Sequence, residues 1–198
     1  MQENFLLVQK GFRVLLGSMS GYIGQEFSRK YGNRWWNEVL DALYDQRDLP
    51  YDGTYAELID SLDIANCIRL IDRRWNEVFR DKLPLNCRTW SKELMGVRNI
   101  AAHIGLQDLD QPMAERALDT MVLLCTEMDP EGADEIRGMY REVRARAESK
   151  VNKNVVIQYT GLAQPESDSN RGELTEGSLL QLVGTDVVEQ TTLTRKVT

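Results

Sequence analysis

Between Leu6 and Val143 the apolar residues of this chain recur three and four positions apart, and the prolines fall between the apolar runs rather than inside them. A face repeating at that spacing suits a helix and would not sit on one side of a strand. Residues 1–150 are therefore expected to be all-α. Leu6, Leu7, Val8, Phe12, Leu15, Leu16, Met19, Ile23 and Phe27 mark a first helix over 4–30, with glycines at 11, 17, 21 and 24 that weaken it or admit a close neighbour. Trp35, Trp36, Val39, Leu40 and Leu43 mark a second over Arg34–Tyr44. Pro50, Asp52 and Gly53 make 45–53 a loop. A short helix over Tyr55–Leu62 follows.

Asp63 is placed to cap a longer helix carrying Ile64, Ile68, Ile71, Trp75, Val78 and Phe79 and ending before Pro84. The next begins at Asn86 or Thr89, buries Trp90, Leu94, Val97 and Ala101, and stops at Gly105. Asp110 and Pro112 open a helix with Ala114, Leu118, Met121, Val122 and Cys125 inward, and Asp129 and Pro130 open the last. After Lys150 the texture changes. VNKNVVIQYTGL and LLQLVGTDVVEQTTLTRKVT look strand-like, separated by a polar, turn-rich stretch. Residues 151–198 are thus expected to be a β-prone or disordered extension, either a hairpin on the helical part or the start of a further domain. No internal repeat stands out.

Composition narrows the function. No apolar run approaches the about 20 residues needed to cross a membrane, and the first residues lack a secretory pattern, so a cytoplasmic protein is expected. Cys67, Cys87 and Cys125 are scattered and read as buried apolar groups. One histidine and three distant cysteines show no metal-ligand spacing, and no carboxylate cluster suggests a two-metal site. GSMSGYIG lacks the Gly-Lys-Ser/Thr ending of a phosphate loop, so no cofactor or triphosphatase activity is expected. The net charge of −7 argues against a protein that coats nucleic acid through a global basic field. The window from Arg69 to Arg98 nevertheless holds eight basic residues against four acids. It is either a local cationic strip or a helix face of ion pairs.

The segment VRNIAAHIG carries the most chemistry. His103 is the only histidine and lies near a helix end, where the peptide dipoles favour a cation. Asn99 is four residues before it, on the same face, and Arg98 is on the neighbouring strip. A fixed cation, an amide and an imidazole at one helix end suit a phosphodiester. The plain alternative is a lone histidine bonded to a carbonyl and an arginine paired with Glu93 or Asp72. Trp35, Trp36, Trp75 and Trp90 read as core rather than as stacking platforms. One of the Trp35–Trp36 pair must face outward, as a candidate contact with another chain or domain.

The hexamer RNIAAH fits the pattern Arg-polar-x-x-x-His. Together with YGNRWWNEVLDAL, RRWNEVFRDKLPLNCRTWSKELMGVRNIAAH and ERALDTMVLLC, it makes residues 5–148 resemble the HEPN superfamily (higher eukaryotes and prokaryotes nucleotide-binding). The branch concerned occurs in eukaryotic transcript-quality-control endonucleases and at the N-termini of large bacterial multidomain ATPases and defence proteins. The resemblance implies a bundle of four or five helices that dimerises with the two motifs facing one cleft. It also implies a metal-independent endoribonuclease in which the ribose 2′-hydroxyl attacks the adjacent phosphorus. Arg98 would hold the phosphate and stabilise the pentacovalent species, Asn99 would orient the phosphate or the imidazole, and His103 would be the general base or acid. Arg73, Arg74, Asn76, Glu77 and Arg80 are weaker candidates for substrate contact; the alternative is solvated ion pairs, with Glu77 paired to Arg73 or Arg80 on the same helix. RNA, a second copy of the chain and further parts of a bacterial defence or toxin system are the implied partners. A module that binds RNA or dimerises without cutting is the alternative.

Overall fold

The computed structural model describes residues 2–161 apart from 47, 104 and 106. Those residues are helical with short connections, and no strand occurs among them. Seven α-helices follow in order: α1 Glu3–Tyr31, α2 Trp35–Ala42, α3 Tyr55–Asp60, α4 Ile64–Arg73, α5 Leu85–His103, α6 Gln111–Thr126 and α7 Pro130–Gly161. A 3₁₀ turn, Gly32–Arg34, joins α1 to α2, and a π-helical turn, Trp75–Phe79, follows α4. The first compact unit runs Met1–Val156.

The long α1 is the spine of that unit and packs against α2, α4 and α6, while α5 lies against α4 and α6. Its stripe of Leu15, Met19, Ile23 and Phe27 is fully buried and meets Leu70, Ile71, Phe79, Leu94, Leu118, Met121 and Leu124 in one core. Each such side chain contributes about 1.5–3 kcal/mol of transfer free energy, so the bundle rests on this stripe. Two of the α1 glycines are close-approach points. A Cβ on Gly11 would meet Leu118 Cδ2 at 2.8 Å, and one on Gly24 would run into Ile59 and Tyr55. Gly32, at φ +57°, ends α1 in the left-handed region.

Caps fix the other boundaries. Asp63 accepts from Asn66 N at 2.6 Å, Asp110 from Met113 N at 2.7 Å, and Thr54 and Glu57 form a capping box. The three cysteines are buried thiols, and burial pushes Cys87 up to about 12. Trp36 is buried and donates to Pro50 O at 2.8 Å, which holds the 45–53 loop. Trp35 is the outer member of the pair, but its own chain covers it: the ring lies 5.2 Å from Tyr55.

Two expectations need correction. The helix expected from Asp63 to Pro84 breaks at Arg74, and Arg80 N bonds Trp75 O, five residues back, in the π turn. The strand expected over 151–162 is helical over 151–161, as the end of α7. There α7 is already formed, and each added residue gains a bond without a new nucleus, which outweighs the β preference of Val155, Val156 and Ile157. The rest of the expected extension, 162–198, lies outside the described residues.

A short repeat also emerges. Trp-Asn-Glu-Val occurs at 36–39 and again at 75–78. In both copies the Trp and Val are buried, and Glu38 and Glu77 approach Arg74 at 3.6 and 3.1 Å. Asp41 completes this ring of carboxylates.

Candidate functional site at the end of α5

Helix α5 divides cleanly between two faces. Cys87, Ser91, Leu94, Val97 and Ala101 point into the core. Leu85, Thr89, Lys92, Gly96, Asn99, Ile100 and His103 form an exposed stripe down the opposite side. The buried Ser91 hydroxyl causes no deficit, because it donates to Cys87 O at 2.8 Å one turn back.

His103 is the last residue of α5 and is exposed. Asn99 stands one turn before it on the same stripe. Arg98 is 40% exposed and donates from Nη1 to Asn99 Oδ1 at 3.4 Å. Its Nη2 lies 3.8 Å from Asp63 Oδ2, at the start of α4. Arg98 and Asn99 are therefore joined directly, and His103 shares their end of the helix.

The connection after His103 is fastened to the start of α1. Gln2 Nε2 donates to Gly105 O at 2.6 Å and to Gln107 O at 2.9 Å. Asp108 accepts from Asn4 N at 3.2 Å and Phe5 N at 2.8 Å, which satisfies free amides at the head of α1. Burial pushes the Asp108 carboxyl up, but these backbone amides outweigh it and the net shift is downward. Asn4 Nδ2, buried, reaches Leu109 O at 3.0 Å. Gly105 takes φ +63° at the turn. The exposed imidazole thus stands on a helix end with a braced exit. Asp108, which no sequence pattern marked, is the brace.

The weaker candidates lie at the end of α4 and in the π turn, and most of their polar groups are engaged within the fold. Arg73 donates to Ala42 O at 2.7 Å and makes a two-pronged pair with Asp45 at 2.7 and 3.0 Å. It also lies over the Tyr44 ring at 5.4 Å. Arg74 is 15% exposed among Glu38, Asp41 and Glu77. Glu77 pairs with Arg74, not with Arg73 or Arg80, and accepts from Tyr31 Oη at 3.2 Å. Asn76 and Arg80 are exposed.

Much of the cationic strip between Arg69 and Arg98 is likewise a set of ion pairs. Arg88 and Lys92 share Asp72 at 2.6 and 3.1 Å, and Lys82 lies 3.8 Å from Glu26. Glu93, a partner considered for Arg98, is held by Arg116 and Thr120. Asp63 is the partner that the sequence did not suggest; there it reads only as a cap. Among the described residues no group of three or more His, Cys, Asp or Glu is placed to hold a metal ion. No described helix is long and apolar enough to cross a membrane.

The fold and the α5 constellation define the class, an all-α bundle presenting Arg, Asn and His at one helix end. Residues 10–129, from within α1 through α6 to the residue before α7, match the family model described as Swt1-like HEPN, and the chain belongs to that family. HEPN domains serve as ribonucleases or RNA-binding modules. Comparison with curated proteins and with solved structures gives no match.

Proposed function

We propose that this protein is a metal-independent endoribonuclease that works as a homodimer, with Arg98, Asn99 and His103 of each subunit forming one shared pocket. The observation that carries the reading is the outward placement of all three polar groups around the exposed end of α5. Arg98 is the phosphate ligand and stabilises the added negative charge of the pentacovalent phosphorus. Asn99, bonded to Arg98, orients that guanidinium. His103 takes the proton from the 2′-hydroxyl or returns one to the leaving 5′-oxygen.

Each of those proton transfers needs its own group, and the chain has one histidine. A two-fold axis along the α5 stripe supplies the second. The stripe suits a close contact. Ile100 is 45% exposed and Leu85 68% exposed, and a Cβ added at Gly96 would meet nothing within 4 Å of its own subunit. A cytoplasmic role in bacterial defence or as a toxin belongs to the same proposal, through the branch that the sequence resembles.

The test is cleavage of total cellular RNA in EDTA by the full chain, with His103→Ala beside it. Cleavage is expected to persist in EDTA and to drop by a factor of about 10²–10⁴ in the variant. Activity that needs added metal and survives the substitution refutes the nuclease. RNA binding and a dimer without any cleavage would instead establish the non-catalytic module.

A further inference from the structure

The side chain that faces Arg98 across the helix pair has two jobs. Asp63 Oδ1 accepts from Asn66 N at 2.6 Å and caps α4. Its other oxygen, Oδ2, lies 3.8 Å from Arg98 Nη2. The cap holds the carboxylate in place, so Oδ2 cannot follow the guanidinium when that group turns toward a ligand. The separation exceeds the about 2.7–2.9 Å of a charge-assisted hydrogen bond, so the pair is a loose one. Both side chains remain open to solvent, at 40% and 55%. An incoming phosphodiester therefore finds the guanidinium within reach, with a fixed negative charge beside it.

We infer that Asp63 is a built-in counter-ion of Arg98 that competes with the RNA phosphate and thereby sets the affinity of the site. This rests on the RNA reading above and adds a determinant of its strength. Asp63 touches no reacting atom, so it is a positioning residue. Its charge lowers affinity for any polyanion, and only a strand that also gains contacts elsewhere in the cleft overcomes it. A pair this exposed changes binding by a small factor, about two- to fivefold. Because the charges are exposed, the effect shrinks as salt rises.

Asp63→Asn isolates the charge, since asparagine caps a helix about as well as aspartate. The full chain and this variant are compared on a single-stranded RNA oligonucleotide in EDTA, at low and high salt, with kcat and KM determined separately. Binding of the same oligonucleotide is followed by fluorescence anisotropy in the His103→Ala background, with and without Asp63→Asn. The expected result is a KM and a Kd about two- to fivefold lower in Asp63→Asn, kcat within about a factor of two, and a gap that closes at high salt. Asp63→Ala should show the same fall in KM together with a lower Tm, because it also loses the cap. An unchanged or raised KM in Asp63→Asn, while cleavage still depends on Arg98 and His103, overturns this inference and leaves the nuclease reading intact. An oligonucleotide that the wild type neither binds nor cleaves overturns both.

Discussion

At the end of α4, Arg73 holds Asp45 with both prongs of its guanidinium, and Arg74 is enclosed by Glu38, Asp41 and Glu77. At the end of α5, Arg98 has one neutral contact at 3.4 Å and one carboxylate at 3.8 Å, beside an exposed imidazole. In sequence the two regions look alike, both placing arginine near a helix C-terminus. The chemistry differs because a guanidinium already bonded in plane to carboxylates has few donors left for a phosphate, whereas a loosely paired one keeps most of its five. The first region fastens α2 and the 45–53 loop to α4. The second is left free to act.

The largest expected effects come from exchanging damage between the two. On the proposed reading, Arg98→Ala lowers kcat/KM for RNA at least a hundredfold, measured by gel-resolved cleavage in EDTA, and moves Tm little. Arg74→Ala should do the reverse. It leaves three carboxylates facing one another and costs about 1–2 kcal/mol, discounted for the exposure of Asp41 and Glu77. Tm then falls by roughly 3–6 °C by calorimetry, with kcat/KM changed far less. Comparable losses of cleavage from both substitutions would put the α4 end inside the active cleft.

Next in size is Gly96→Leu. Nothing in its own subunit lies within 4 Å of a Cβ there, and leucine improves helix propensity by roughly 0.7 kcal/mol, so the subunit should fold at least as well as wild type. If the α5 stripe is the two-fold contact, the new side chain splits the dimer, read by light scattering, and cleavage falls with it. A dimer that survives with full activity places the contact elsewhere.

The helical architecture was legible because its determinants are local. The 3.6 period marks the buried faces, and Asp63, Asp110 and Pro130 mark helix starts. The motif at Arg98, Asn99 and His103 was legible for the same reason, being three residues of one helix end. What the sequence hid depends on distant partners. Nothing near Arg73 or Arg74 in sequence names Asp45, Glu38 or Asp41, between 28 and 36 residues upstream. The strip from Arg69 to Arg98 therefore stayed open between a cationic strip and a face of ion pairs, although the paired Trp-Asn-Glu-Val copies were a usable signal for Arg74. The π turn was hidden too, since Trp75, Val78 and Phe79 keep a helical pattern of burial through it. Asp108 bracing α1 is a contact across about a hundred residues, which no local pattern reports.

A smaller effect concerns salt. Each phosphate contact neutralised by a cation adds about 0.7–0.9 to the slope of log affinity against log salt. Arg98→Ala should reduce that slope by close to one contact, and Arg73→Ala should leave it where it was, measured by anisotropy with an RNA oligonucleotide. Equal slopes for the two variants would mean that Arg73 releases Asp45 to meet RNA, and the distinction between the helix ends would fade.

The smallest effect tests the α4 end alone. The Arg73 hydrogen bonds hold the Asp45 carboxyl at about 2, well below the ordinary carboxylate value of about 4. A carboxyl depressed on folding stabilises the folded form fully above its unfolded value and loses that contribution as pH falls through its folded value. Asp45→Asn should therefore lower Tm slightly at pH 7, and the gap to wild type should narrow below about pH 4 and vanish near about pH 2. Because both partners are solvent-exposed, the gap at neutral pH is small and shrinks with added salt. A Tm unaffected by Asp45→Asn across that range would show that the two-pronged pair holds nothing. Arg73 would then be as free as Arg98, and the contrast would rest on Arg74 and its ring of carboxylates.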